Sequence, residues 1–131
     1  MKKEYLFKSG KYYIGDPCYV ISSDSARMIY AKADATQQLF SYMGHKFFCA
    51  YTKYGDGSYY DNNRKEYAVD SCKLGIIPIA IIEFEKRNID NMVNCDLGHI
   101  YDFKDDFVVS IDGNGRFMFN DIVIETDDES E

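Results

Sequence analysis

The sequence predicts a mainly β, β-rich α+β domain, either an antiparallel sheet or a partly open barrel of six to eight strands, with one main helix. Two observations support this prediction. The chain of 131 residues contains 12 Tyr and 9 Phe, which favour strands, and no Trp. Its apolar residues also fall into short runs separated by Gly, Asp and Asn. The length and the 46% hydrophobic content suit a single domain over residues 1–126 that folds without a metal or a disulfide.

Aromatic and β-branched runs mark the predicted strands, and turn-forming residues separate them. The segments Gly15-Asp16-Pro17 and Gly55-Asp56-Gly57 are typical turns, and DGNG at 112–115 is a typical hairpin turn. Pro78 interrupts the most apolar run, because proline cannot donate to a ladder. The predicted strands cover residues 12–14, 18–21, 47–54, 58–60, 66–70, 74–84, 107–111, 116–119 and 122–124.

The main helix is predicted between Asp34 and Met43. Asp34 can cap it, Leu39, Phe40 and Met43 would form its apolar face, and Gly44 would end it. A further helical turn is compatible with residues 25–31, and residues 88–105 are predicted to be polar and irregular.

The charge and the cysteines of the chain indicate its cellular compartment and the classes of partner that it can bind. The net charge of −7 has the wrong sign for direct nucleic-acid binding. No apolar stretch is long enough for a membrane span, and the N-terminus has no signal-peptide core, which predicts a cytoplasmic protein. The acidic tail 127–131 is predicted to be frayed. The cysteines are isolated from one another, so free thiols with no metal and no cofactor are predicted at Cys18, Cys49, Cys72 and Cys95.

Turn aspartates and tyrosines are the candidate functional residues, and no catalytic residue or metal ligand is predicted. Asp side chains in turns commonly accept hydrogen bonds from nearby backbone N–H groups. Tyrosine is enriched at binding surfaces because it offers rigid contact area and a polar tip. The residues predicted to stabilise turns are Gly15, Asp16, Pro17, Gly55, Gly57, Asp70 and Ser71, with Asp70 accepting from the N–H groups of its own turn. The residues predicted to bind a partner or ligand are Tyr19, Asp56, Tyr59 and Tyr60.

Three segments carry a family resemblance: KSGKYYIGDPCYVI, YGDGSYYDNNRKEYAVDSCKLGIIP and FVVSIDGNGRFMFNDIVIET. In this order they resemble a group of small uncharacterised bacteriophage and prophage proteins with GDPCYV, GDGxY and YxVDSGxxGxIP elements. The chain departs from that pattern at Cys72, where the group has glycine. If that position needs a positive φ, cysteine would be strained there.

The resemblance implies a setting in a bacterial host cell and no particular reaction. The leading hypothesis is a non-enzymatic phage or prophage accessory protein that binds a host protein, with a role such as inhibiting host defence, or a small nucleotide-like ligand. It would bind through a tyrosine-rich surface. One alternative is a small metal-dependent hydrolase or nucleotide-processing enzyme that uses the turn aspartates Asp16, Asp56 and Asp70. A structural component of the virion is the other alternative.

Overall fold

The computed structural model describes residues 2–31, 33–34, 36–88 and 98–127, with the side chains of 86–88 left aside. The predicted tail, apart from its first residue, and Cys95 lie outside this part of the chain. Strand makes up 49% of the structure and helix 16%, which confirms the mainly β class. The strands are β1 (Lys3–Phe7), β2 (Gly10–Gly15), β3 (Leu39–Tyr42), β4 (His45–Tyr51), β5 (Gly57–Tyr60), β6 (Glu66–Val69), β7 (Lys73–Pro78), β8 (His99–Phe103), β9 (Phe107–Ile111), β10 (Arg116–Phe119) and β11 (Ile122–Glu125). The helices are α1 (Ser23–Tyr30) and α2 (Ile79–Asn88), and Pro17–Tyr19 forms a 3₁₀ turn.

The strands form two larger antiparallel sheets and one hairpin, and the sheets do not close into a barrel. The four-stranded sheet has the order β1-β9-β10-β11, and the five-stranded sheet has the order β3-β4-β7-β2-β8. The strands β5 and β6 pair only with each other among the named strands, and a bridge between Asp61 and Ile124 joins the end of this hairpin to β11.

Two apolar layers hold the domain together, one on each face of the five-stranded sheet. Side chains on a strand alternate between faces, so Tyr12 and Ile14 join the layer between the sheets, whereas Tyr13 joins the layer under the helices. Both tyrosines are buried, since both faces of β2 are covered. Alternation along a strand predicts one core and one surface residue in the Tyr12-Tyr13 pair, and this prediction is wrong.

The predicted helix between Asp34 and Met43 is wrong. Asp34 does cap a turn, by accepting from the backbone N–H and the hydroxyl of Thr36. The chain then forms strand β3 and reverses at Met43 and Gly44, whose φ values are 54° and 77°. Leu39 and Phe40 suit a strand as well as a helix, and pairing with β4 decides between the two.

The main N-terminal helix lies earlier in the chain, where only a helical turn was expected. Ser22 caps α1 by accepting from the Ser25 N–H at 3.1 Å. The strand predicted over 74–84 ends at Pro78, and α2 follows directly. The strand predicted over 18–21 is instead the 3₁₀ turn. Strands β1 and β8 were not predicted, whereas the predicted strands 107–111 and 116–119 are confirmed.

Candidate functional site

A buried carboxylate, that of Asp16, joins two turns that are far apart in sequence. Its Oδ1 accepts from the Cys18 N–H at 2.8 Å and from the Ser71 hydroxyl at 2.6 Å. Its Oδ2 accepts from the N–H groups of Asp70 and Ser71, both at 2.7 Å. The side chain is fully buried, and four donors occupy its two oxygens. Asp16 therefore holds the GDPCY turn (residues 15–19) against the VDSC turn (residues 69–72).

Behind these turns, two paired glycines stand where a side chain would not fit. Gly15 of β2 pairs with Gly75 of β7. A Cβ on Gly15 would overlap the Tyr13 hydroxyl, and a Cβ on Gly75 would lie 2.7 Å from the Cβ of Cys49. The glycines thus leave room for the Tyr13 ring and for strand β4 behind the joined turns.

Asp56 stabilises the other side of the VDSC turn. Its Oδ1 accepts from the Cys72 N–H at 2.8 Å and from the Cys72 thiol at 3.1 Å. Cys72 has φ 63°, so cysteine here occupies the left-handed region that favours glycine. Asp56, predicted as a ligand-binding residue, is therefore engaged with the backbone of this turn.

Asp70 has a different partner from the one predicted. The N–H of Ser71 bonds to Asp16 and the N–H of Cys72 bonds to Asp56, so the prediction that Asp70 accepts from them is wrong. Asp70 instead accepts a hydrogen bond from the Tyr19 hydroxyl. Burial of the ring, followed by that hydrogen bond, raises the pKa of Tyr19.

Tyr59 and Tyr60 lie on β5, which pairs with β6. Tyr59 is fully buried, and its hydroxyl donates to the Gly55 carbonyl at 2.6 Å, so the side chain stabilises the GDG turn from inside. Gly55 has φ 107°, which suits glycine. Tyr60 is half-buried. Of the four predicted binding residues, Tyr19 and Asp56 thus contact the joined turns, whereas Tyr59 is a core residue.

Next to the joined turns lie two pockets that share Tyr51 and Lys73, and we refer to them together as the tyrosine–lysine groove. These two residues are paired neighbours on β4 and β7, so they emerge side by side on the helix-covered face. The first pocket has a volume of about 300 Å³ and the second of about 270 Å³. The first is also lined by Pro17, Cys18, Ile21, Ala26, Tyr30 and Ser71, and the second by Lys3, Thr36, Gln37, Gln38, Cys49 and Ala50.

The Lys73 ammonium lies between two aromatic rings at the centre of the groove. Its Nζ is 4.1 Å from the ring centroid of Tyr30 and 5.1 Å from that of Tyr51. Within the described residues, no carboxylate lies within 4.0 Å of this nitrogen. Tyr51 is 59% exposed, whereas Tyr30 is half-buried, with its hydroxyl 3.6 Å from the Cys49 sulfur. Burial raises the pKa of Tyr30, so that hydroxyl stays neutral.

The Cys18 thiol borders the groove and is held in its protonated form. Partial burial of the sulfur in an otherwise exposed residue, followed by the adjacent negative charge of Asp16, raises the pKa of Cys18 to about 12. A thiolate is the nucleophilic form of cysteine, so Cys18 is poorly suited to nucleophilic attack near neutral pH. The three cysteines in the described part of the chain are free thiols.

The turn aspartates do not assemble into a cation site. In the part of the chain that the structure describes, no three His, Cys, Asp or Glu side chains are grouped so that they could hold a metal ion. Asp16, Asp56 and Asp70 all contribute to the same pair of turns, but each accepts a hydrogen bond from protein donors there.

Comparisons with known families, with curated proteins and with solved structures find no match. No described helix is long and apolar enough to cross a membrane. The groove therefore has to be interpreted from its own chemistry.

Sequence reasoning missed the three residues that define the groove, Tyr30, Tyr51 and Lys73. Tyr51 belongs to the tyrosine-rich first half of the chain, but nothing local distinguishes it from its neighbours. Lys73 directly follows the VDSC element, which was the available signal. Its pairing with Tyr51 depends on the register between β4 and β7.

Proposed function

We propose that the chain is a non-enzymatic binding protein of phage or prophage accessory type, whose tyrosine–lysine groove holds an acidic segment of a host protein. The observation that carries this proposal is the Lys73 ammonium, which lies between Tyr30 and Tyr51 with no carboxylate close to it in the described residues. A lysine in that position can pair with a carboxylate from outside the chain, and the flanking rings limit its exposure to water.

The two halves of the groove favour different parts of such a segment. One half offers the cation of Lys3 and the side-chain amides of Gln37 and Gln38, which suit a carboxylate and a peptide backbone. The other half is lined by Pro17, Ile21 and other apolar groups, which suit an apolar side chain. Among the described residues, neither lining includes Asp or Glu. An acidic residue next to an apolar one therefore fits the groove.

The chemistry of the joined turns supports binding rather than catalysis. Four protein donors occupy the Asp16 carboxylate, and the Cys18 thiol stays protonated. A rigid pair of turns beside an open groove is what a preformed binding site requires. The phage and host setting rests on the resemblance of the GDPCYV, GDGSY and YAVDSC segments.

The test is capture from a bacterial lysate, followed by calorimetric titration of the purified partner. The double variant Tyr51→Ala/Lys73→Met should weaken binding by at least about tenfold, or 1.4 kcal/mol. The matched control is Tyr54→Ala/Lys53→Met, which alters an exposed tyrosine and an exposed lysine outside the groove. Equal losses in both variants, or recovery of the chain only in purified phage particles, would contradict the proposal.

A further inference from the structure

A second concave site lies at a different end of the five-stranded sheet and shares no lining residue with the groove. Its volume is about 350 Å³, within the range of small-molecule sites. Four parts of the chain meet there: the turn between β1 and β2, strand β2, the start of β4, and the junction of β7 with α2. We refer to it as the lysine pocket, and it is lined by Lys8, Ser9, Gly10, Lys11, Tyr12, Gly44, His45, Lys46, Pro78, Ile79 and Ala80.

The lysine pocket is lined by positive charge, whereas the chain as a whole is negatively charged. The net charge is −7, yet Lys8, Lys11, Lys46 and His45 line this one cavity, and no Asp or Glu does so among the described residues. Lys8 and Lys11 flank the turn between β1 and β2, and the fold brings Lys46 of β4 next to them. A concave site lined by one sign of charge concentrates ions of the opposite sign.

Nearby acids neutralise this charge only in part. Lys8 lies 3.6 Å from Asp106, and both side chains are exposed, so the pair is weak. Lys11 faces Asp102 across the β2–β8 register, but Asp102 bonds to Lys104 at 2.9 Å. The charged end of Lys46 lies 5.2 Å from the ring centroid of Phe7. Among the described residues, no carboxylate lies within 4.0 Å of the side-chain nitrogen of Lys11 or Lys46.

We propose that the lysine pocket binds a phosphate-bearing small molecule of about the size of a mononucleotide. Lysine ammonium groups suit phosphate oxygens as point charges, and the Ser9 hydroxyl and the His45 ring add polar contacts. Tyr12, Pro78 and Ala80 supply an apolar wall for the remainder of the molecule. The pocket is larger than a bare phosphate needs, which favours a phosphomonoester over inorganic phosphate. This proposal is independent of the tyrosine–lysine groove.

The test is calorimetric titration with AMP and adenosine, in parallel with amide chemical-shift mapping by NMR. AMP should bind and adenosine should not, because the phosphate supplies the contact with the lysines. The double variant Lys11→Gln/Lys46→Gln should lose at least about tenfold in affinity for AMP. The control Lys2→Gln/Lys53→Gln changes the net charge equally but lies outside the pocket, and it should retain the affinity.

Shifts induced by AMP should cluster on the amides of residues 8–12 and 44–46. Three outcomes would overturn the proposal: adenosine binding as tightly as AMP, equal losses in both double variants, or shifts confined to other parts of the chain. Circular dichroism of each variant, compared with the parent, would establish that the fold is intact, and the single variant Lys46→Gln serves if the double variant is unstable.

Discussion

Replacement of Asp16 by alanine should destabilise the domain more than any surface substitution. The change removes the acceptor of four donors: the N–H groups of Cys18, Asp70 and Ser71, and the hydroxyl of Ser71. A buried donor without a partner costs about 1–3 kcal/mol. Ser71, Asp70 and Cys18 are exposed residues, so water can partly replace the lost acceptor at their donor groups. The expected loss is therefore about 3–5 kcal/mol in the free energy of unfolding.

Urea denaturation monitored by far-UV circular dichroism and tyrosine fluorescence would measure this loss. Asp16→Asn keeps one acceptor oxygen and should fall between the parent and Asp16→Ala. Asp105→Ala is the control, since Asp105 is exposed, and its expected change is within about 0.5 kcal/mol. A loss below about 1 kcal/mol for Asp16→Ala would refute the reasoning, because it would mean that water satisfies the four donors.

Three further predictions concern Cys72, Glu85 and Cys18. Cys72→Gly should raise the free energy of unfolding by up to about 1 kcal/mol in urea melts, because glycine relieves the left-handed backbone, whereas Cys72→Ala should not. Glu85 is 3% exposed and accepts from three donors at the start of α1 and on β3, so Glu85→Ala should cost about 2–4 kcal/mol and reduce the helical signal. The raised pKa of Cys18 keeps its thiol protonated at pH 8. Peptide mapping should therefore show that iodoacetamide labels Cys18 more slowly in the native chain than in urea, and that labelling of the native chain becomes faster as the pH rises. Equal native and denatured rates at pH 8 would contradict the last prediction.

The parts of the fold that depend on local chemistry were predictable. Asp112 accepts from the N–H groups of Asn114 and Arg116, and this turn sets the register of β9 and β10 by itself. The boundary between β7 and α2 was not predictable, because residues 74–84 are almost continuously apolar and show no period. The position of the first helix also depends on the wider fold, because α1 has no fully buried residue.

The candidate site also combines contacts that are local in sequence with contacts that depend on the wider fold. The bond from the Cys18 N–H to Asp16 is local and was expected from the turn residues. Which acid caps the VDSC turn depends on how distant segments come together, so the prediction that Asp70 accepts from the N–H groups of its own turn is wrong. Tyr59 was placed at a surface, but it is buried in the layer between the two sheets.

The bonds of Asp16 span 54 and 55 residues of chain, and this has a consequence for the order of folding. Closing so long a loop is entropically unfavourable until β2, β4 and β7 have paired, so these bonds should form after the transition state. Asp16→Ala should then mainly accelerate unfolding and leave the folding rate almost unchanged. Pro17 and Ser71 line the tyrosine–lysine groove beside those bonds, so the groove should exist only in the fully folded chain. A partner that binds there would slow unfolding and extend the lifetime of the native protein.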